Sequence, residues 1–325
     1  MGKILFRTAI SLAFIVLLFY LVREDIPQIA GTLKNANRAL LALSVAVALS
    51  TLVILSKRLQ LIFAAEDVSL KLSEALNLTF IGYFFNNFLP TSVGGDIVKL
   101  MCASRITQQP GKSVTAILMD RVFGLFTFIL IPSLSFLFIL KSVKNPAVPI
   151  IIYSFLVFSF LFFLLLFNRS VARRFKFVER FLNVFRLGEK VRKVYDGMHN
   201  FKRHKKVVGE AMVLSFLGQT VNIFVLYMMT LALGASANIA YFYILAPVIH
   251  LLSMLPSLNG LGIREGAYVY FLTPYIGREN AVALSLLWLG LLFILSFIGG
   301  FIYLVRHDYH VQFKGGNAGR LANGV

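Results

Sequence analysis

The sequence LPTSVGGDIVK, at residues 89–99, interrupts a long apolar stretch that would otherwise read as one membrane-spanning helix. A second interruption, LPSLNGLGIRE at residues 255–265, begins with the same Leu-Pro pair and reaches a glycine after the same spacing. Unpaired backbone polar groups are costly in hydrocarbon, so irregular chain survives at membrane depth only where protein or water covers it. The two stretches therefore predict a helical membrane protein with two broken segments.

The composition also favours a membrane protein. The 325 residues are 58% hydrophobic and only 14% charged, whereas soluble domains are about 25% charged. The first apolar stretch resembles a signal peptide, but no small-residue cleavage site follows it, so we interpret it as an uncleaved span. Because a spanning helix needs about 20 apolar residues, we predict six full spans, at residues 4–22, 39–57, 118–140, 147–167, 207–233 and 281–305.

Lysine and arginine residues predict the orientation of these spans. Residues 169–206 contain 13 basic residues against three acidic ones, which places this stretch in the cytoplasm. Counting spans from it places both termini, and also Lys57 and Arg58, on the cytoplasmic side. The count closes only if segments 75–107 and 241–274 are re-entrant, the first entering from the cytoplasm and the second from outside.

Each half of the chain then holds two spans, a re-entrant segment and one more span, and the halves start on opposite sides. We therefore predict an all-α polytopic membrane protein with an inverted repeat, an arrangement typical of transporters, whose site lies at the paired broken segments. The single transmembrane domain covers residues 1–312, with repeats at 1–145 and 146–312. Residues 168–206 read as a basic amphipathic helix on the inner leaflet or as a solvated loop, and 313–325 as a disordered tail.

The candidate substrate-binding residues lie at the two interruptions and at the start of the span 118–140. Glycines permit a turn and expose amide groups at the start of the next half-helix, where an anion is favoured. Ionisable residues at membrane depth suggest function, and Arg264 could hold a phosphate bidentately. The candidates are Asn86, Asn87, Gly94, Gly95, Asp96, Lys99, Asp120, Arg121, Asn259, Gly260, Gly262, Arg264 and Glu265.

Structural alternatives exist for these residues. Lys99 and Arg121 could snorkel to the cytoplasmic surface, and Arg264 with Glu265 could form a structural ion pair. The two asparagines before the first break either line a polar cavity or satisfy freed carbonyls, and Asn259 suits a turn. For three lone polar residues in apolar stretches we expect helix–helix hydrogen bonds: Gln219, Asn222 and His250. The sequence contains no metal-ligand spacing and no nucleotide-binding or nucleophile motif, so no metal, cofactor or catalytic residue is expected.

Three stretches resemble a known family. The runs GYFFNNFLPTSVGGD at 82–96 and LPSLNGLGIREG at 255–266 resemble signature blocks of the lysylphosphatidylglycerol synthase transmembrane-region family, and Asp120-Arg121 with Gly124 is similar to a third block. The resemblance covers most of residues 1–310. In the aminoacyl-phosphatidylglycerol synthases of this family, the transmembrane module is assigned to moving the modified lipid between leaflets, and a soluble C-terminal domain carries the aminoacyl transfer.

The resemblance implies a flippase-like protein. Because the chain ends soon after its last span, we expect a stand-alone member without the aminoacyltransferase domain; some stand-alone members are linked to polyprenyl-linked sugar pathways. The predicted function is that of a lipid flippase or transporter, which moves an anionic phospholipid or polyprenyl-linked lipid through a polar groove. The alternative is a membrane enzyme or accessory subunit acting on a lipid-linked glycosyl substrate.

The expected partners follow from the charge and the resemblance. The net charge of +18 fits cytoplasmic loops that face anionic headgroups, and we expect no nucleic acid partner. Membrane lipids that are anionic or carry a phosphate are the expected ligands. A second copy of the chain and a separately encoded lipid-modifying enzyme are candidate protein partners. The expected location is a bacterial or archaeal cytoplasmic membrane.

Overall fold

The structure, a computed structural model, describes residues 25–89, 94–139, 204–254 and 260–310, with isolated positions at 23, 150, 153, 154, 157 and 201. These residues form nine α-helices and a closing 3₁₀ helix, His307–Tyr309. The α-helices are α1 (Ile26–Lys34), α2 (Arg38–Ala65), α3 (Leu72–Phe88), α4 (Gly94–Thr107), α5 (Pro110–Ile139), α6 (Lys205–Ala232), α7 (Ile239–Leu252), α8 (Ile263–Ile276) and α9 (Arg278–Val305).

Four of the described helices are long and apolar enough to cross a membrane: α2, residues 110–135 of α5, α6 and α9. They fall on the predicted spans 39–57, 118–140, 207–233 and 281–305. The predicted span 4–22 lies outside the described residues, as do most of 147–167 and of the basic stretch 168–206. The protein is thus a helical multi-pass membrane protein, and six spans stay a prediction.

Both predicted interruptions break the helices. α3 ends at Phe88, Leu89 is extended with φ −85° and ψ 140°, and the next helix begins at Gly94. α7 ends at Leu252 and α8 begins at Ile263, and the two helices of each broken segment contact each other. The broken segments are therefore confirmed, whereas the membrane face that each one enters stays a prediction.

The glycines of the two breaks have different roles. Gly260 and Gly262 have φ values of 75° and 85°, as expected for turn glycines. The expectation that Gly95 permits a turn is wrong, because Gly95 lies inside α4 and its φ is not left-handed. A Cβ built on Gly95 would lie 2.2 Å from the carbonyl oxygen of Gly82. Gly95 is therefore needed for the close approach of α4 to α3.

The two halves of the chain are interlocked. The most extensive contacts between the two halves pair α2 with α6, α3 with α9, and α5 with α7, so the last described span of each half covers the broken segment of the other. The approach of α9 to α3 is close, since a Cβ on Gly299 would lie 2.0 Å from the carbonyl oxygen of Phe80. This pairing is the one that an internal two-fold relation would produce, and the inverted repeat itself stays a prediction.

A polar layer separates two apolar clusters. One cluster is built mainly from α7, α8 and α9, and the other from α3, α4 and the adjoining ends of α2, α5 and α6. Helices α5 and α6 each contribute to both clusters. In α5, Ile117 belongs to the second cluster and Ile131 to the first, and in α6, Ala211 belongs to the second cluster and Ile223 to the first. The polar residues of both helices lie between these positions, at the level where the structure is hollow.

Candidate functional site

The larger cavity, of about 260 Å³, is lined by five charged residues from three helices. We call it the charged cavity. The charged residues are Arg58 of α2, Asp96 and Lys99 of α4, and Asp120 and Arg121 of α5, and a polar stripe of α6 lies opposite them. Four of these five residues were predicted as site residues, and the fold brings them together from separate helices.

Asp120 is the centre of the charged cavity. Its Oδ1 accepts hydrogen bonds from Nε of Arg58 at 2.8 Å, and its Oδ2 lies 3.1 Å from Nζ of Lys99. Nη1 of Arg58 donates to Oγ of Ser215 at 2.9 Å. All four residues are buried. The carboxylate of Asp120 in α5 therefore pairs with two buried cations, from α2 and α4, and Arg58 connects this group to α6 through Ser215. Lys99 therefore does not snorkel.

Two glycines lie against the two long cations. A Cβ on Gly124 of α5 would lie 3.8 Å from Nη1 of Arg58, and one on Gly82 of α3 would lie 3.6 Å from Cδ of Lys99. Both distances are ordinary van der Waals contacts, so the guanidinium of Arg58 and the stem of Lys99 pack directly on these two helix surfaces. The two cations are thus held inside the bundle, at a depth where charge is otherwise costly.

A second ion pair lies at the more open side of the cavity. Nη2 of Arg121 lies 3.1 Å from Oδ2 of Asp96, with side chains 36% and 21% exposed. The charged cavity therefore contains three cations against two carboxylates, a formal charge of +1. A positive surplus in a partly enclosed site favours an anionic ligand.

The second cavity, of about 180 Å³, adjoins the first. Trp288, His250, Asn87 and Arg264 line it, and we call it the Trp288 cavity. The two cavities share five lining residues: Thr51, Tyr83, Asn86, Phe128 and Asn222. Residues from both broken segments thus line two adjacent cavities that share part of their walls.

Arg264 and Glu265 form a buried ion pair at the start of α8. Nη2 of Arg264 lies 2.7 Å from Oε1 of Glu265, and both side chains are 5% exposed. Oε2 of Glu265 accepts a hydrogen bond from the amide of Gly262 at 2.6 Å, which caps the helix. Arg264 and Glu265 thus form the structural ion pair that the sequence analysis gave as an alternative. Arg264 also lines the Trp288 cavity.

One amide at the start of each helix is bound by a side chain of the protein. The amide of Gly95 donates to Oδ1 of Asn86 at 2.9 Å, and that of Gly262 donates to Glu265. For these two amides the arrangement differs from the expectation that they face an anion, because neighbouring side chains supply their acceptors.

The other predicted residues have supporting positions. Nδ2 of Asn87 donates to the carbonyl oxygen of Leu292 at 3.1 Å and also to Oγ of Ser296, so it fastens α3 to α9. Gly94 begins α4 and Gly260 packs on Ser253, whose Cβ would be 2.7 Å from an added methyl group. Asn259 lies outside the described residues.

The sequence reasoning missed Arg58 as a site residue. It predicted a cytoplasmic position, but α2 continues to Ala65 and Arg58 is 7% exposed against Asp120. The signal that could have found it is the carboxylate of Asp120 inside an apolar stretch, since such an acid needs a cationic partner.

The three lone polar residues also line the cavities instead of only linking helices. Nδ1 of His250 donates to the carbonyl oxygen of Ala246 in its own helix, at 2.8 Å. Nε2 of Gln219 has no hydrogen-bond partner within the described residues. Asn222 lines both cavities. The expectation of helix–helix hydrogen bonds is therefore wrong for His250.

Comparison with known protein families identifies the family to which this chain belongs. No curated protein and no solved structure gave a significant match. The family model of the lysylphosphatidylglycerol synthase transmembrane region matches residues 4–300, which include eight of the described helices and most of the ninth. The chain therefore belongs to the lysylphosphatidylglycerol synthase transmembrane-region family.

Proposed function

We propose that this membrane protein moves an anionic lipid between leaflets, with the headgroup in the polar layer. The observation that carries the proposal is the charge of that layer. Arg58, Lys99, Arg121 and Arg264 stand against Asp96, Asp120 and Glu265, so four cations face three carboxylates and the formal charge is +1. Buried charge is unfavourable unless it is paired, and an anionic headgroup would complete the pairing.

The position of the polar layer supports transport. It lies between two apolar clusters and receives residues from both broken segments, the place where transporters bind substrate. The acyl chains would stay in the bilayer, against apolar side chains on the outer face of the bundle. Such side chains include Phe297, Phe301 and Leu304 of α9, which are 64%, 68% and 71% exposed.

The family supports a lipid-related role, and transport rather than catalysis is our proposal. Transport would follow a lipid gradient or be coupled to protons. Asp96 and Glu265 are the candidate proton carriers, and Asp96 is the more accessible, with its side chain 21% exposed against 5% for Glu265.

The test is reconstitution of the full chain into liposomes with tail-labelled lipids. We expect phosphatidylethanol or a polyprenyl phosphate to exchange between leaflets faster than in empty vesicles. Lys99→Gln removes the surplus charge and leaves Arg58 paired with Asp120. It should slow anionic lipids about tenfold or more, since a hydrogen bond to a charged group contributes about 1.5–3 kcal/mol.

A matched control is Thr230→Val, because the Thr230 hydroxyl is buried and donates only within its own helix, to Leu226. The proposal is refuted if wild-type protein moves no anionic lipid faster than empty vesicles, with or without a pH gradient. A Lys99→Gln variant that folds and transports at the wild-type rate would remove the surplus charge as its basis.

A further inference from the structure

After α9 ends at Val305, the chain folds back onto the first broken segment. Residues 306–310, which we call the strap, include the 3₁₀ helix and contact both α4 and α9. Nε2 of His310 donates to the carbonyl oxygen of Tyr303 at 2.6 Å, which fixes the turn between α9 and the strap. The strap therefore has a defined position on the bundle.

Tyr309 is the buried anchor of the strap. It is only 3% exposed and belongs to the apolar cluster that contains α3 and α4. Its hydroxyl accepts a hydrogen bond from Nδ2 of Asn77 in α3, at 3.3 Å. Its carbonyl oxygen accepts one from Sγ of Cys102 in α4, at 3.2 Å. One tyrosine thus bridges the two half-helices of the first broken segment.

This bridge lies at a different level from the direct contact between α3 and α4. The two helices touch at Gly82 and Gly95, where an added Cβ would meet backbone. Asn77 precedes Gly82 by five residues, and Cys102 follows Gly95 by seven. With a rise of 1.5 Å per residue, the two levels are about 8–10 Å apart. The half-helices are therefore held together at two levels, by glycine contact at one and by Tyr309 at the other.

Lys99 lies on α4 between these two levels. It follows Gly95 by four residues and precedes Cys102 by three. Its Nζ pairs with Asp120 of α5 at 3.1 Å in the charged cavity. A short helix moves as a rigid element, so a change of spacing at Cys102 would tilt α4 about its contact at Gly95. The tilt would displace the ammonium group of Lys99 relative to α5.

Arg105 gives the strap a second contact with α4. Its Nη1 donates to the carbonyl oxygen of His310. Arg105 lies three residues beyond Cys102, which is about one helical turn. Because Arg105 is exposed whereas Tyr309 is buried, the two contacts can be weakened separately and at different cost to stability.

We propose that the strap positions α4 for transport, with Tyr309 and Arg105 as positioning residues that act on the lipid through Lys99. The α9 helix itself already binds α3 through Asn87, so α9 and its continuation hold both half-helices of the first broken segment. The two half-helices then move together and not apart. This inference rests on the proposed transport function and adds a control of the charged cavity from the end of α9.

The chain has one cysteine, Cys102, and it reports directly on the strap. Because Cys102 is fully buried, a membrane-permeant maleimide should label it slowly in liposomes that contain the full chain. Tyr309→Ala should raise the labelling rate about tenfold or more, since loss of a buried aromatic ring favours local opening. Arg105→Gln should raise it about twofold to fivefold, the effect of one hydrogen bond. Tyr309→Phe keeps the ring and should stay closer to wild type than Tyr309→Ala.

The second measurement is the transport of tail-labelled phosphatidylethanol by the same proteoliposomes. Tyr309→Ala should slow it about threefold to tenfold, because the lysine no longer meets the lipid in the right place. In a Lys99→Gln background the same change should have no further effect, as expected when one residue acts through the other. A loss of folded protein would instead lower the rate by the same factor in both backgrounds. Tyr270→Ala, at a tyrosine of α8 that is 62% exposed, should leave labelling and transport unchanged.

Two results overturn the inference while transport itself stands. One is a labelling rate of Cys102 in Tyr309→Ala equal to that of wild type, and the other is equal slowing by Tyr309→Ala with and without Lys99. If Tyr309→Ala does not fold, Arg105→Gln decides by the same two criteria, because it alters an exposed side chain. A wild-type protein that moves no anionic lipid faster than empty vesicles overturns the transport function, and the role of the strap in transport with it.

Discussion

Asp120→Asn is expected to destabilise the protein far more than Asp96→Asn, although both changes remove one carboxylate from the same cavity. Asp120 faces two cations, Arg58 at 2.8 Å and Lys99 at 3.1 Å, and all three side chains are at most 12% exposed. An asparagine would leave both cations buried with no negative partner. Removing one partner of a buried pair costs about 3–5 kcal/mol, so a loss of that order is expected.

Asp96 provides the matched comparison. Its partner Arg121 has a side chain 36% exposed, so solvent screens the pair, and exposed pairs contribute at most about 1 kcal/mol. The difference between the two variants should therefore be about 2–4 kcal/mol. The measurement is the free energy of unfolding in mixed detergent and SDS micelles, with the change in helical circular dichroism as the signal.

A second substitution tests the cause of the loss. Asp120→Asn combined with Lys99→Met removes one of the two unpaired cations, so the double variant should regain part of the stability that Asp120→Asn loses. Such coupling is expected between residues in contact and not between distant ones. Similar losses for Asp120→Asn and Asp96→Asn, or a double variant less stable than Asp120→Asn, would refute the view that Asp120 neutralises two buried cations.

Three further predictions concern packing and the second ion pair. Gly95→Ala should lower the free energy of unfolding by about 1–3 kcal/mol, because the new methyl group meets the carbonyl of Gly82. The control is Gly290→Ala, whose methyl group meets nothing within 4 Å, and it should be neutral or stabilising in the same assay. Gly260→Ala should be destabilising through both its φ of 75° and its contact with Ser253, and a variant as stable as wild type would contradict this. Arg264→Gln leaves Glu265 buried without its cation, so it should lower the free energy of unfolding by about 3–5 kcal/mol and slow lipid transport. The control is Arg278→Gln, at a half-exposed pair with Asp25, which should change the free energy of unfolding by less than about 1 kcal/mol.

The helix breaks could be predicted from sequence because they depend on local chemistry. Proline and glycine close together disfavour the continuation of a helix, and both breaks lie at the predicted places. The four described spans were located for a similar reason, since length and apolar composition are local properties. The end of α2 was misplaced because Lys57 and Arg58 read as loop residues, whereas a partner 62 residues away holds Arg58 inside the bundle.

The site could be predicted only as a set of residues. The ionisable candidates were found one by one from their depth, but their pairing depends on helix packing that a single sequence does not encode in any local pattern. Gly95 shows the same limit: a glycine after a break suggests a turn, and its actual role in the contact between α3 and α4 needs the position of Gly82. Gln219 and His250 gave too weak a signal because one polar residue in an apolar helix usually serves packing.

The fastening of α3 to α9 has a consequence for synthesis of the protein. Oγ of Ser296 donates to the carbonyl oxygen of Tyr83 at 3.2 Å, and 213 residues separate the two. At about 5–20 residues per second, roughly 10–40 s pass between translation of the first partner and translation of the second. During this interval the amide of Asn87 lacks the helix that later accepts its hydrogen bonds. The polar groups of α3 that pair with α9 therefore need water or another protein partner until α9 is made, because unpaired polar groups are costly in hydrocarbon.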